Sequence, residues 1–204
     1  MIVSNLGQIM KERRLTALEV SEKTGIGRNT ISSFIHGRAN GIQFKTLGAL
    51  CDFLDVTPND LLLVSIYNMD VKALHDDNRL CVDLLVTEKR PADWKEYEES
   101  ENPSGDVYSL IGEIDEVSST LNIKLRWKKP ETANEARKEA VSFMGMYTNL
   151  PAAIRTAAKR QITDVVMDVM KNFRGKDEVV LSWTFPQDFQ NYLVRMALNE
   201  QMGD

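Results

Sequence analysis

The sequence predicts two domains of different class: a mainly α domain of five short helices over residues 1–66, and an α+β domain with a small antiparallel sheet over residues 79–204, joined by a linker at 67–78. Three observations predict this division. Apolar residues recur at helical spacing through the first third, strict apolar–polar alternation begins only after residue 79, and the charge is unevenly placed. The chain of 204 residues has a formal net charge of -5. Residues 1–46 carry +4, from Lys11, Arg13, Arg14, Lys23, Arg28, Arg38 and Lys45 against Glu12, Glu19 and Glu22, so the remainder carries -9. A basic module fused to an acidic one is the pattern expected when one end of a protein meets a polyanion.

The first helix is read from Leu6, Ile9 and Met10, which share a face with Arg13. Thr16-Ala17-Leu18-Glu19 has capping-box spacing. The Thr16 hydroxyl accepts from the N–H three residues on while Glu19 reaches back, so a second helix starts at Ala17, with Leu18, Val20 and Ser21 inward. Gly25 stops it, because a residue without Cβ takes the left-handed conformation at little steric cost. A third helix follows over 28–35, with Ile31, Phe34 and Ile35 inward, Arg28, Asn29, Ser32 and Ser33 outward, and Gly37 at its end. His36 is read as a turn residue. A fourth helix has Phe44, Leu47, Leu50, Cys51 and Leu54 as its apolar positions. Thr57-Pro58-Asn59-Asp60 opens a fifth, with Thr57 as cap and Pro58 at the first helical position. No strand is expected in this domain, and Leu61-Leu62-Leu63-Val64 is read as closing the helical core.

The run Leu15-Thr16-Ala17-Leu18-Glu19-Val20-Ser21-Glu22-Lys23-Thr24-Gly25-Ile26-Gly27-Arg28-Asn29-Thr30-Ile31-Ser32, followed by Gly37-Arg38, resembles the helix-turn-helix of the phage-repressor and Cro-like (XRE) regulators. Phe44-Lys45-Thr46-Leu47, Leu54-Asp55-Val56-Thr57-Pro58 and Asp60-Leu61 are similar to that family's last two helices, so the resemblance covers about the first third of the chain. Ala17, Ser21 and Gly27 stand where the family often has glutamine, alanine and serine. The resemblance implies a five-helix helix-turn-helix domain that binds double-stranded DNA and regulates transcription, most simply as a dimeric repressor. The third helix would enter the major groove, which is about 12 Å wide. Arg28, Asn29 and Ser33 match the base-reading positions. Arg suits the two acceptors of guanine, and Asn suits the acceptor and donor of adenine. Thr30, Arg38, Lys45 and the backbone at Phe44 are placed for phosphates, which position the protein without carrying sequence information. Taken singly, Arg28 and Asn29 are also what any solvated helix face offers; their setting after a capped helix and a glycine turn is what favours DNA contact.

In the second domain, Leu80, Val82, Leu84 and Val86 alternate with other residues, as do Tyr108, Leu110, Gly112 and Ile114, and Leu121, Ile123, Leu125 and Trp127. Glu113 and Asp115 face Lys124 and Arg126 across a hairpin turning near Ser118-Ser119, which makes an antiparallel meander. Between the first two strands, Glu88 to Asp106 reads as a long acidic loop containing Trp94 and Tyr97. After Pro130 the pattern turns helical. Ile154, Ala158, Ile162, Val166, Val169 and Phe173 form an apolar stripe from about Pro151, a strand of Val179, Leu181, Trp183 and Phe185 follows, and Phe189, Tyr192, Leu193 and Met196 mark a last helix. The stripe is read either as packing on the sheet or as the contact of a homodimer.

Several classes are excluded. No apolar run reaches the roughly 18 to 20 residues of a membrane span, and the first 30 residues lack the order of a secretory signal, so a cytoplasmic protein is expected. Cys51 and Cys81 have no metal or disulfide spacing and are read as buried thiols; His75-Asp76-Asp77 is read as polar linker, and no metal or cofactor is assigned. There is no Gly-rich phosphate loop with Lys-Ser or Lys-Thr, no His-Glu-x-x-His and no Ala-Gly cleavage pair, so no enzymatic activity is expected. Two rival readings use the second domain: binding and inhibition of another protein through the acidic loop, or small-molecule sensing in a cavity lined by Trp127, Trp183 or Phe185.

Overall fold

Helices of seven to eleven residues do not persist alone in water, and those at the start of this chain exist because each buries one face. The computed structural model describes residues 2–76, 79–88, 105–117, 119–171, 173 and 178–201. The chain divides into two units, Met1–Ile66 with Pro151–Ala157, and Tyr67–Leu150 with Ala158–Asp204.

The first unit contains β1 (Ile2–Ser4), α1 (Leu6–Glu12), α2 (Ala17–Thr24), α3 (Arg28–Ile35), α4 (Phe44–Leu54), α5 (Pro58–Leu61) and β2 (Leu62–Val64). Leu6, Ile9, Met10, Val20, Ile31, Phe34, Leu47, Leu50, Leu54 and Leu61 form its core. The capping box at α2 is present: the Thr16 N–H and hydroxyl each donate to the Glu19 carboxylate at 2.7 Å, and the Glu19 N–H donates to the Thr16 hydroxyl at 3.2 Å. At α5 the Thr57 N–H donates to the Asp60 carboxylate at 2.8 Å. Gly25 closes α2 at φ 71°.

Three expectations for this unit are corrected. β1 pairs antiparallel with β2, Ile2 opposite Val64 and Ser4 opposite Leu62. Strands of three residues are too short to display alternation, and the continuous run from Leu61 to Val64 reads equally as helix. Leu18 is 42% exposed while Val20 is buried; the inward row of α2 is Ala17, Val20, Ser21 and Thr24, and Leu18 lies about 100° off it. Phe44, expected as an apolar core position, is 91% exposed at the start of α4.

The second unit contains β3 (Tyr67–His75), β4 (Arg79–Glu88), β5 (Asp106–Val117), β6 (Thr120–Trp127), α6 (Ala133–Asn149), α7 (Ala152–Met170, of which the segment to Ala157 belongs with the first unit), β7 (Glu178–Trp183) and α8 (Gln187–Gln201). The sheet order is β3-β4-β5-β6-β7. One face carries Leu80, Val82, Leu84, Tyr108, Leu110, Leu121, Ile123, Leu125 and Trp127, buried with Ala136, Ala140, Phe143, Ile162, Val166, Met170 and Phe189 of the helices. Trp127 and Phe143 each stack on Phe189 with ring centroids 4.4 Å apart. The expected charge pairing is present on the other face, where Arg126 meets Glu113 at 2.6 Å. Both partners are about half exposed, so this pair orders the hairpin more than it stabilises it.

Several expectations for this unit are corrected as well. The sheet is five-stranded and mixed: β7 runs parallel to β6, which α6 and α7 permit by supplying the long crossover a parallel neighbour requires. Residues 67–75, expected as linker, form β3, because Tyr67, Met69, Val71 and Ala73 pack on the core while Asn68, Asp70 and Lys72 face solvent. The polar half of that alternation hides it in the sequence. Cys81 is exposed on the face opposite Leu80 and Val82, and Cys51 is half-buried. Phe185 lies beyond the end of β7, buried in the aromatic cluster with Trp127. Of the two readings of the α7 stripe, packing on the sheet and contact of a homodimer, the packing is present. Ile162, Val166 and Phe173 are buried core, Val169 is partly buried against it, Ile154 is buried, and Ala158 is half-exposed. The acidic stretch from 89 to 104, with Trp94 and Tyr97, lies outside the described residues. No described helix is long and apolar enough to cross a membrane, and no metal-holding cluster occurs among the described residues.

Two measurements check these packing assignments. A Cβ on Gly112 would stand 2.8 Å from Leu80 Cβ and 2.9 Å from its Cδ2, so Gly112→Ala is expected to destabilise the second unit by about 1–3 kcal/mol, read as a lower urea midpoint. The hydrogen bonds from Thr16, backbone first and hydroxyl second, hold the Glu19 carboxyl below its ordinary 4.5, and those from Thr57 lower Asp60 from 3.8. A folded-state value below the unfolded one gives stability that is complete above the ordinary value and is lost as pH falls through the lowered one. Glu19→Gln is therefore expected to lower the urea midpoint at neutral pH, with the difference from wild type shrinking as pH falls below the ordinary glutamate value.

Candidate nucleic-acid interface

The segment that sets α3 is short and heavily hydrogen-bonded. The Ser21 hydroxyl donates to the Ile26 carbonyl at 2.7 Å, the Thr24 hydroxyl donates to the Val20 carbonyl at 2.6 Å, and the Ile26 N–H donates back to the Thr24 hydroxyl at 3.3 Å. With Gly25 left-handed between them, the chain reverses in three residues and α3 begins at Arg28. Arg13, grouped with the inward face of α1, donates from its guanidinium to the Leu54 carbonyl at the end of α4. It serves the fold.

At 100° per residue, burial of Ile31 and Phe34 with partial burial of Ile35 defines the inner side of α3. Asn29 and Ser33, four residues apart, then lie nearest the opposite side, Arg28 and Ser32 flank them on one edge, and Thr30 flanks on the other. Arg28, Asn29 and Thr30 are exposed, and Ser32 and Ser33 are half-exposed. The Ser33 hydroxyl donates to the Asn29 carbonyl at 2.9 Å. Arg38 is exposed, and its guanidinium reaches the Ser32 hydroxyl at 3.5 Å. Helical spacing places Ser32 on the outward side of α3. Its link to Arg38 runs across the Gly37 turn, which no helical spacing reveals.

α4 starts with Phe44 and Lys45, both exposed. Neither Gly27, before α3, nor Gln43, before α4, supplies a side-chain cap. The first N–H groups of both helices thus lack the side-chain acceptor that α2 has in Thr16. In the structure Asn29 and Ser33 share the outermost row of α3, Arg28 and Thr30 sit at its two edges, and Arg38, Phe44 and Lys45 stand on the segments that follow.

A family model described as the Cro/C1-type HTH DNA-binding domain matches residues 5–64. Over 61 residues the chain is 33% identical to YozG of Bacillus subtilis (strain 168), named as an uncharacterized HTH-type transcriptional regulator; the match spans 30% of this chain and 73% of that protein. A crystal structure from Bacteroides fragilis, provisionally described as a DNA-binding protein, is similar at 22% identity with a TM-score of 0.28, over 30% of this chain and 98% of that one. The capped α2, the glycine turn and the exposed face of α3 all fall inside the matched segment. Through residues 5–64, the chain belongs to the Cro/C1-type helix-turn-helix DNA-binding family.

Proposed function

We propose that this protein is a sequence-specific transcriptional regulator that lays α3 in the major groove of double-stranded DNA and acts as a dimeric repressor. The observation that carries the reading is the polarity of α3: Ile31 and Phe34 are buried in the unit's core while Arg28, Asn29 and Ser33 face out. In this reading Arg28 and Asn29 supply donors and acceptors to base edges. Arg38, Lys45, the Thr30 hydroxyl and the uncapped N–H groups at Phe44 hold phosphates. The relative from Bacillus subtilis, named as a transcriptional regulator, supports the same role.

Dimerisation is part of the proposal because one helix of eight residues reads only a few base pairs, and two half-sites about 34 Å apart double the contacts. The contact would use surfaces other than the α7 stripe, whose large side chains are occupied within the chain. Repression follows most simply from occlusion of polymerase.

Selection of bound sequences from a random DNA pool by the full-length protein tests the reading, with a palindrome of half-sites about one helical turn apart as the expected outcome. An unenriched pool rejects it. Arg28→Ala is expected to weaken operator binding by about 1–3 kcal/mol and to relax one base position. Arg38→Ala is expected to weaken all sequences alike and to reduce the salt slope by about one. Equal losses on specific and random DNA for Arg28→Ala would refute base reading by that residue.

A further inference from the structure

A hydroxyl has one proton and two lone pairs. In α3 the Ser33 hydroxyl donates to the Asn29 carbonyl one turn back at 2.9 Å, so while that bond is kept the side of the oxygen that faces out offers lone pairs alone. Ser32 has the opposite character: its oxygen receives the Arg38 guanidinium at 3.5 Å, so a lone pair is approached by a donor. Two adjacent serines on one helix therefore differ in what they can say to a base, and only Ser33 lies in the outermost row with Asn29.

In the major groove the hydrogen-bond donors are the exocyclic amines of adenine and cytosine, whereas guanine presents two acceptors and thymine one acceptor and a methyl group. With that bond kept, the oxygen meets guanine O6 or thymine O4 as lone pair against lone pair, and donating to either would first break the bond to the Asn29 carbonyl. It meets adenine N6 or cytosine N4 as acceptor against donor. We propose that Ser33 is a specificity-determining residue that selects adenine or cytosine, through the exocyclic amine, at one base position of the site. This rests on α3 being the helix that enters the groove. It goes further by assigning Ser33, otherwise the least discriminating side chain of the three, a defined preference derived from where its proton goes.

The test uses the full-length protein as wild type, Ser33→Ala and Ser33→Thr, each taken through selection from the same random pool. Alanine is the better helix former and threonine keeps both the hydroxyl and its bond to the carbonyl four residues back, so both variants retain α3. Wild type and Ser33→Thr are expected to select adenine or cytosine at one position per half-site, at which Ser33→Ala accepts all four bases. A second probe removes only the amine at that position, with purine in place of adenine or 2-pyrimidinone in place of cytosine. It is expected to bind wild type about three- to tenfold more weakly, and Ser33→Ala no more weakly than the parent site does. Three results overturn the proposal: selection of guanine or thymine at the position that Ser33→Ala relaxes, an unchanged profile for Ser33→Ala, or equal loss by both proteins on the amine-deleted probe. A wild-type pool with no enrichment at all overturns the DNA-reading proposal, and this one with it. That outcome is distinct from the other three, in which wild type still selects a site.

Discussion

The burial of Ile31 and Phe34 is the constraint on which the rest of the first unit's chemistry depends. An eight-residue helix loses about 1–2 kcal/mol of backbone entropy per residue on ordering and cannot offset that with its own few hydrogen bonds. Burying an isoleucine and a phenylalanine contributes about 1.5–3 kcal/mol each, so α3 exists as a helix only where the core formed with Val20, Leu47 and Leu50 receives it. The same burial fixes its rotation. With Ile31 and Phe34 inward, Asn29 and Ser33 have no choice but to face out, and the address of every candidate DNA contact on α3 follows from two apolar side chains that touch no DNA.

The glycine turn acts on the other degree of freedom, the angle between α2 and α3. Ser21, Thr24 and Ile26 satisfy one another's polar groups across Gly25, leaving little slack in the reversal, and the capping box at Thr16 ties down the far end of α2. In the second unit the comparable constraint is Gly112, which sits between Leu80 and Leu125 in register and leaves room for Leu80 where a larger residue would not. The strand β3 is held as well. Gln161 donates its side-chain amide to the Met69 carbonyl at 2.9 Å, which ties this edge strand to α7.

Much of this is legible in the sequence, and the pattern of what is not has a physical explanation. The capping box at Thr16, the left-handed Gly25 and the Thr57-Pro58 start are signals carried by single residues whose backbone preferences do not depend on the rest of the fold. The strands through Leu80, Val82, Leu84 and Val86, and through Leu121 to Trp127, announce themselves because one face is wholly apolar. β1 and β2 are invisible because three residues have no period. β3 is obscured because an edge strand with Asn68, Asp70 and Lys72 outward looks like a polar connector until its partner is known. That β7 lies parallel to β6 is a property of the crossover, which no local pattern encodes. At the candidate site, spacing places Arg28, Asn29 and Ser33 on one face, but the bonds from Ser33 to Asn29 and from Arg38 to Ser32 depend on side-chain rotamers and a turn, and only the folded chain displays them.

Charge then decides what kind of binder such a unit can be. Of the seven cations in residues 1–46, Arg13 is engaged with the Leu54 carbonyl, and Arg28, Arg38 and Lys45 are the exposed ones on α3 and the elements that follow it. Were all three to meet DNA as proposed, they would correspond to a salt slope of about -3 per bound unit, a modest electrostatic contribution. The remaining chain, at -9, adds repulsion towards a polyanion rather than attraction. On the proposed reading, a protein so balanced gains little from non-specific association, so preference for a site over bulk DNA would rest on base edges, towards which the uncharged pair Asn29 and Ser33 offers the outermost row of α3. On that reading, the ratio of specific to non-specific binding, and not affinity alone, sets the occupancy of a site among competing DNA.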